Sequence, residues 1–254
     1  MRHSFLVLCL VAGLGYPTAA VAAPTKHKEK TEVDPAVPAK LDAKLSLAPR
    51  GLRFGMTPNQ VARVYEKLID RDYLKRFQAT QPGIELQRLE AEVAQKKAFF
   101  RRGKIDFGDL PTGLDGSPLS GEFSYRNREA MMQIKRRGKK RMLFFIRGKL
   151  WKLFDVYTLS PKSRWGADYK TAITRLEKRL GTEGRVRAAD PSAGLRHDEV
   201  DWASGGVRLR AINWDKSFAI SYVDQRTENR IDSLRTAKPK KTDTIDDSVR
   251  DALR

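Results

Sequence analysis

Seven consecutive residues, Lys135-Arg136-Arg137-Gly138-Lys139-Lys140-Arg141, place six cations around one glycine. Lysine offers a compact point charge and arginine a planar fork of donors, and both match phosphate and carboxylate oxygens. The run is therefore a candidate contact for phosphate on lipid, lipopolysaccharide or nucleic acid. Its alternative reading is a solvated hairpin tip whose charges blunt a sheet edge. A second candidate is the pair Arg208 and Arg210. They alternate with Val207, Leu209 and Ala211, so they share one side of a strand, read here as the solvent side. Trp214 and Tyr222 on the same sheet would stack a sugar or a base. The alternative is an ordinary charged outer face.

No catalytic constellation accompanies these cations. The chain lacks G-x-S-x-G, H-E-x-x-H and a phosphate-binding glycine loop. His197-Asp198-Glu199 has no evident nucleophile or metal partner and reads as a surface histidine. Carboxylate pairs brought together from distant positions leave no local trace, so a hydrolase remains an alternative. Cys9 is the only cysteine and falls within an apolar leader. The expectation is a non-enzymatic protein with no cofactor, no metal and no disulfide.

The leader itself spans 1–22. Arg2 supplies the positive start, Phe5 to Leu14 the apolar core, and Ala20-Val21-Ala22 a cleavage site. That core is shorter than the roughly 20 residues that cross a bilayer, so no transmembrane span is expected in the mature chain. These features predict export, to the periplasm or the medium. The formal charge is +19, of which Arg2 contributes one. So basic a chain points to acidic partners: an acidic protein or an anionic envelope polymer, with extracellular nucleic acid as a further option.

The elements that must position these residues follow from periodicity. Residues 23–49 are rich in Lys, Pro and Ala without a periodic apolar face and read as a disordered tether. Thr57, Pro58 and Gln60 form a capping box that opens a helix with Val61, Val64, Tyr65 and Leu68 on one face. That helix continues or bends near Asp70 and ends before Pro82. A second helix is predicted from about Ile84 to Arg102. The glycine-rich stretch 103–121 reads as a long loop, a structural lid or partner contact, and its Asp106, Asp109 and Asp115 do not fit a calcium-loop spacing. From Glu122 to Leu159 four strands are predicted, the first carrying Phe123 and Tyr125. The apolar run Met142–Ile146 has both faces covered. Trp151, Leu153, Asp155 and Tyr157 share one face, which requires Asp155 to be paired or near an edge.

A similar plan then returns. Asp168 caps a helix carrying Ile173, Leu176 and Leu180, and Gly181 ends it. Val200–Trp202, Val207–Trp214 and Phe218–Val223 form a meander with turns at Gly205-Gly206 and Asp215-Lys216. The predicted fold class is α+β: two helix-plus-antiparallel-meander units in tandem, at 50–160 and 161–234, with a basic flexible tail at 235–254. Gly55-Met56-Thr57-x-x-Gln60-Val61 and Leu180-Gly181-Thr182 resemble the BamE-like proteins of the outer-membrane barrel assembly machinery, with Trp202 matching an early aromatic of their sheet. The tandem arrangement is similar to that of the β-lactamase inhibitory proteins. The chain departs from both, lacking a lipobox and the inhibitors' cysteines. What the resemblance implies is a helix-and-meander fold and a binding role in the envelope. Lys135 to Arg141 are the first-choice contact and Arg208 and Arg210 the second, with charge reversal at 135–141 expected to weaken binding without unfolding.

Overall fold

Thr57 starts the first helix as its side chain demands. Its hydroxyl accepts from the Gln60 N–H, the Gln60 side chain accepts from the Thr57 N–H, and Pro58 occupies the first turn. The computed structural model describes residues 37–236 apart from 43, 116, 118, 120, 215 and 216. The leader, most of the tether, the Asp215-Lys216 turn and the tail from 237 onward lie outside the described residues.

In chain order the elements are β1 (Ala39–Lys40), α1 (Pro58–Ala79), α2 (Ile84–Arg102), β2 (Ile105–Phe107), β3 (Glu129–Arg136), β4 (Lys139–Ile146) and β5 (Lys149–Thr158). There follow α3 (Tyr169–Leu180), β6 (Arg185–Arg187), β7 (Glu199–Ser204), β8 (Val207–Trp214), β9 (Ser217–Asp224), α4 (Gln225–Glu228) and α5 (Ile231–Leu234). The fold is α+β. All nine strands join one mainly antiparallel sheet in the order β1-β7-β8-β9-β5-β4-β3-β2, with β6 also on β7. Antiparallel runs β3-β4-β5 and β7-β8-β9 lie in the two predicted regions, but they belong to one continuous sheet and not to two separate tandem units. They meet where β5 pairs antiparallel with β9, from Lys152 opposite Val223 to Thr158 opposite Ser217.

Turn chemistry explains the hairpins. Arg137-Gly138, Arg147-Gly148 and Gly205-Gly206 each have positive φ at both positions, as a two-residue primed turn requires. One strand was misread. Phe123 and Tyr125 lie in a bent segment, and the strand beside β3 is the short β2 drawn from the predicted loop. The Phe107 and Phe123 rings stack 4.0 Å apart, and the Tyr125 hydroxyl donates to Asp115 at 2.6 Å. These contacts consume the side-chain alternation that imitated a strand.

The tether reading also needs correction at its end. β1 pairs in parallel with β7, and Leu41 is buried with Trp202 and Leu176 in one apolar cluster. The segment before α1 is therefore part of the packed body. Apolar area, sparse and aperiodic there, suffices because β7 offers it an open edge.

The sheet's two faces differ. On one lie α1 and α2, packed on Leu143, Phe145 and Leu153, and α3, packed on Trp202, Leu209 and Phe218. Between these two clusters sits Asp155. Arg141 clasps it with 2.5 and 2.6 Å hydrogen bonds and also donates to the Tyr65 hydroxyl and the Ala48 carbonyl. Lys139 adds a contact to Asp155 at 2.9 Å. Asp155 is 1% exposed and Arg141 5%, so the expected pairing of Asp155 is met by a buried ion pair. Burial opposes ionisation, but the Arg141 hydrogen bonds and charge, then Lys139, hold the Asp155 carboxyl below its usual range.

Removing one member of a buried pair leaves an uncompensated charge, which costs about 3–5 kcal/mol. Asp155→Ala is expected to lower urea-unfolding stability by that amount, and the double variant Asp155→Leu/Arg141→Met to recover most of it. A small effect of Asp155→Ala alone would contradict the arrangement. Because the folded pKa is depressed, this stabilisation is present above about pH 4 and lost as pH falls from there through the folded value.

Candidate functional site

The other face of the sheet is half apolar and half charged. Met131, Phe144 and Phe154 form the apolar half, packed in one cluster with Phe107, Leu119 and Phe123 of the 105–125 segment. The acids of that segment are engaged: Asp109 pairs with Arg126 at 2.9 Å and Asp106 with Lys104 at 2.8 Å. Its observed role is to cover the sheet.

Over β6, β7 and β8 the face becomes a lattice of alternating charges. Arg185 lies opposite Asp201, and Asp201 opposite Arg210. Opposite charges on neighbouring strands attract across the ladder. Arg208 bonds Asp201 at 2.7 Å and Glu228 at 2.9 Å. Arg210 reaches both oxygens of Glu122 at 2.9 Å and Glu199 at 3.3 Å. The reading of Arg208 and Arg210 as solvent-facing is thus corrected. They occupy the predicted face, but α4 and the 121–122 bend roof it, and both side chains are largely buried in ion pairs. Tyr222, expected beside them, belongs to the opposite face, where it packs against the helix-side clusters.

A bulge brings in the rest of the site. Phe145 pairs with Leu150 and Phe144 with Lys152, so Trp151 is an extra residue in β5. Trp151 therefore packs with Phe154, away from the Leu153 face that strict alternation predicted. Lys152, 3% exposed at its side chain, bonds Glu122 at 2.7 Å and lies over the Trp151 ring. Arg235, expected in the flexible tail, instead pairs with the buried Glu129 at 2.8 Å.

Trp151, Lys152, Glu199, Arg210, Trp214 and His197 line a cavity of about 220 Å³. The acids differ in their electrostatics. Burial lifts the Glu199 carboxyl above its usual range despite Arg210. Burial acts likewise on Glu122, but the charges and hydrogen bonds of Arg210 and Lys152 outweigh it and hold its carboxyl well down. No group of three potential metal ligands occurs among the described residues.

The Lys135–Arg141 run does form a hairpin tip, with divided duties. Arg136 and Arg137 bind Asp72 of α1, Lys139 and Arg141 bind Asp155, and Lys135 and Lys140 are exposed without an anion partner among the described residues. The expectation that the whole run tolerates charge reversal is corrected. An acid in place of buried Arg141 would face Asp155.

Sequence reasoning missed a second cationic feature. Arg63, Lys67, Arg71 and Lys75 recur every fourth residue on the exposed side of α1, and none has an anion partner among the described residues. The spacing of four is visible in the sequence, but a row of exposed charges has no local feature that separates it from an ordinary solvated helix face. No family model, curated protein or solved structure matches the chain.

The two acids predict opposite responses. Glu122→Gln leaves Lys152 and Arg210 short of an anion and is expected to destabilise at pH 7. Glu199→Gln removes a carboxylate that burial disfavours and is expected to be neutral or stabilising at pH 7. That benefit should shrink as pH falls toward about 4, where an unfolded glutamate also protonates. Chemical unfolding of both variants at pH 7 and pH 4 checks the signs; equal losses at pH 7 would refute them.

Proposed function

We propose that the protein is an exported, non-enzymatic binding protein of the cell envelope that engages an anionic envelope surface through the outer ridge of α1. The single observation carrying this reading is the row Arg63, Lys67, Arg71 and Lys75, exposed and unpaired among the described residues. Three successive like-charge pairs at i,i+4 each cost a helix about 0.2–0.5 kcal/mol. The acids of α1, by contrast, pair with cations of other elements and not with this row: Glu66 with Arg101, Asp70 with Lys97 and Asp72 with Arg136. The unpaired row is thus a departure from the helix's own pattern, at a cost an external anion would offset. Its length is about 18 Å at 1.5 Å per residue, on a convex helix face suited to an extended array of anions. Lys135 and Lys140 extend the charge at the neighbouring hairpin tip, which Asp72 holds beside the helix.

The tandem BamE-like plan supports the same reading. Gly55 and Gly166 both have positive φ two residues before a helix cap. Thr57 and Asp168 are both extended caps accepting from the N–H three residues on. Each helical segment precedes a three-stranded meander. No helix among the described residues is long and apolar enough to cross a membrane.

The test is co-sedimentation of the full mature chain with isolated envelopes across a salt series. Replacing Arg63, Lys67, Arg71 and Lys75 by Gln is expected to weaken binding about tenfold or more and to flatten its salt dependence. The circular dichroism should be unchanged, since all four side chains are exposed. Unaltered binding would dismiss the ridge. Binding abolished by nuclease would transfer the reading to nucleic acid, and crosslinking to one acidic protein would transfer it to a protein partner.

A further inference from the structure

The cavity on the opposite face carries a separate signal, independent of the α1 ridge. Five buried side-chain polar atoms among the described residues lack a hydrogen-bond partner. Three of them, Trp151 Nε1, Glu199 Oε2 and Arg210 Nε, belong to residues lining this one cavity. A fourth, Ser221 Oγ, is the cross-strand neighbour of Arg210. Arg187 approaches Glu199 Oε2 at 3.5 Å, too far for a strong hydrogen bond. Buried polar groups are nearly always satisfied, so a cluster of exceptions calls for a partner.

The unfilled valences describe that partner. Among the lining residues, two N–H donors need acceptors and one carboxylate oxygen needs a donor. The buried charges of the lining balance, Glu122, Glu199 and Glu228 against Lys152, Arg210 and Arg235, and the one further cation, Arg196, is exposed to solvent, so the interior offers no net charge to a charged ligand. Trp214, half-buried and 5.3 Å from Phe154, gives the cavity an aromatic wall. At about 220 Å³ the space is small for a ligand pocket. We propose that this cavity binds a single neutral sugar unit. Its hydroxyls donate to Glu199 and accept from Trp151 and Arg210, and one ring face lies on Trp214. The cavity is open at one side, while the unpartnered atoms themselves lie just beneath its surface, so the proposed contacts need the lining side chains to shift as the sugar binds.

The test is tryptophan-fluorescence titration of the full mature chain with neutral hexoses, N-acetylhexosamines and a hexuronate. The expected result is saturable quenching by a neutral sugar. It should weaken about tenfold in both Glu199→Gln and Trp214→Ala, as loss of a charge-assisted hydrogen bond or an aromatic wall would cause. Thermal melts of the two variants establish that they are folded. Absence of saturation by every neutral sugar, or saturation by the hexuronate alone, overturns the proposal. So does a crystal structure at high sugar concentration with only water on Trp151 and Glu199.

Discussion

Asp155 is the point on which the helix side of the sheet depends. It lies in β5, where the two meanders meet, and it is closed to solvent. A lone carboxylate there would be prohibitively costly, so Arg141 must be in place on β4. Arg141 in turn holds α1 through Tyr65 and the preceding segment through Ala48. One ion pair therefore links β4, β5, α1 and the chain before it, at the seam between two apolar clusters. The apolar clusters supply the bulk of the driving force, being proportional to area and indifferent to direction. The ion pair supplies the direction, because it is satisfied in only one register of β4 against β5.

The same requirement governs the opposite face at larger scale. Glu122, Glu129, Glu199 and Asp201 are each met by arginine or lysine from a different element. A large share of the chain's cations is thus spent internally. The net positive charge counted from composition does not translate into a uniformly basic surface. Exposed cations outside ion pairs also occur on other elements, α3 among them, but those on α1 form a single row at regular spacing of four beside the hairpin tip, and such alignment is what an extended anionic surface can engage.

The two candidate surfaces are built in contrasting ways. The α1 ridge is exposed, like-charged and shallow, and suits many weak contacts with an extended anion. The cavity is recessed, nearly charge-balanced and aromatic-walled, and suits a few directional hydrogen bonds with a small ligand. The sheet separates them, so occupancy of one leaves the other free.

Much of the fold was legible in the sequence because its signals are local. Thr57 and Asp168 cap helices through their own side chains, Gly181 ends one with positive φ, and Gly138, Gly148 and Gly206 turn hairpins. Each of these depends on neighbours a few residues away, and each was read where it stands. The bulge at Trp151 was not legible, because it is a mismatch between two strands and neither strand alone contains it. Docking of Leu41 depends on an open edge of β7 about 160 residues later, and Arg235 depends on Glu129. The charge run 135–141 shows the division most plainly. Residue type and spacing determined that it forms a basic hairpin tip. Only the tertiary structure decided that Arg141 is buried while Lys135 and Lys140 stay exposed, because a cation's role is set by which distant acid comes within reach.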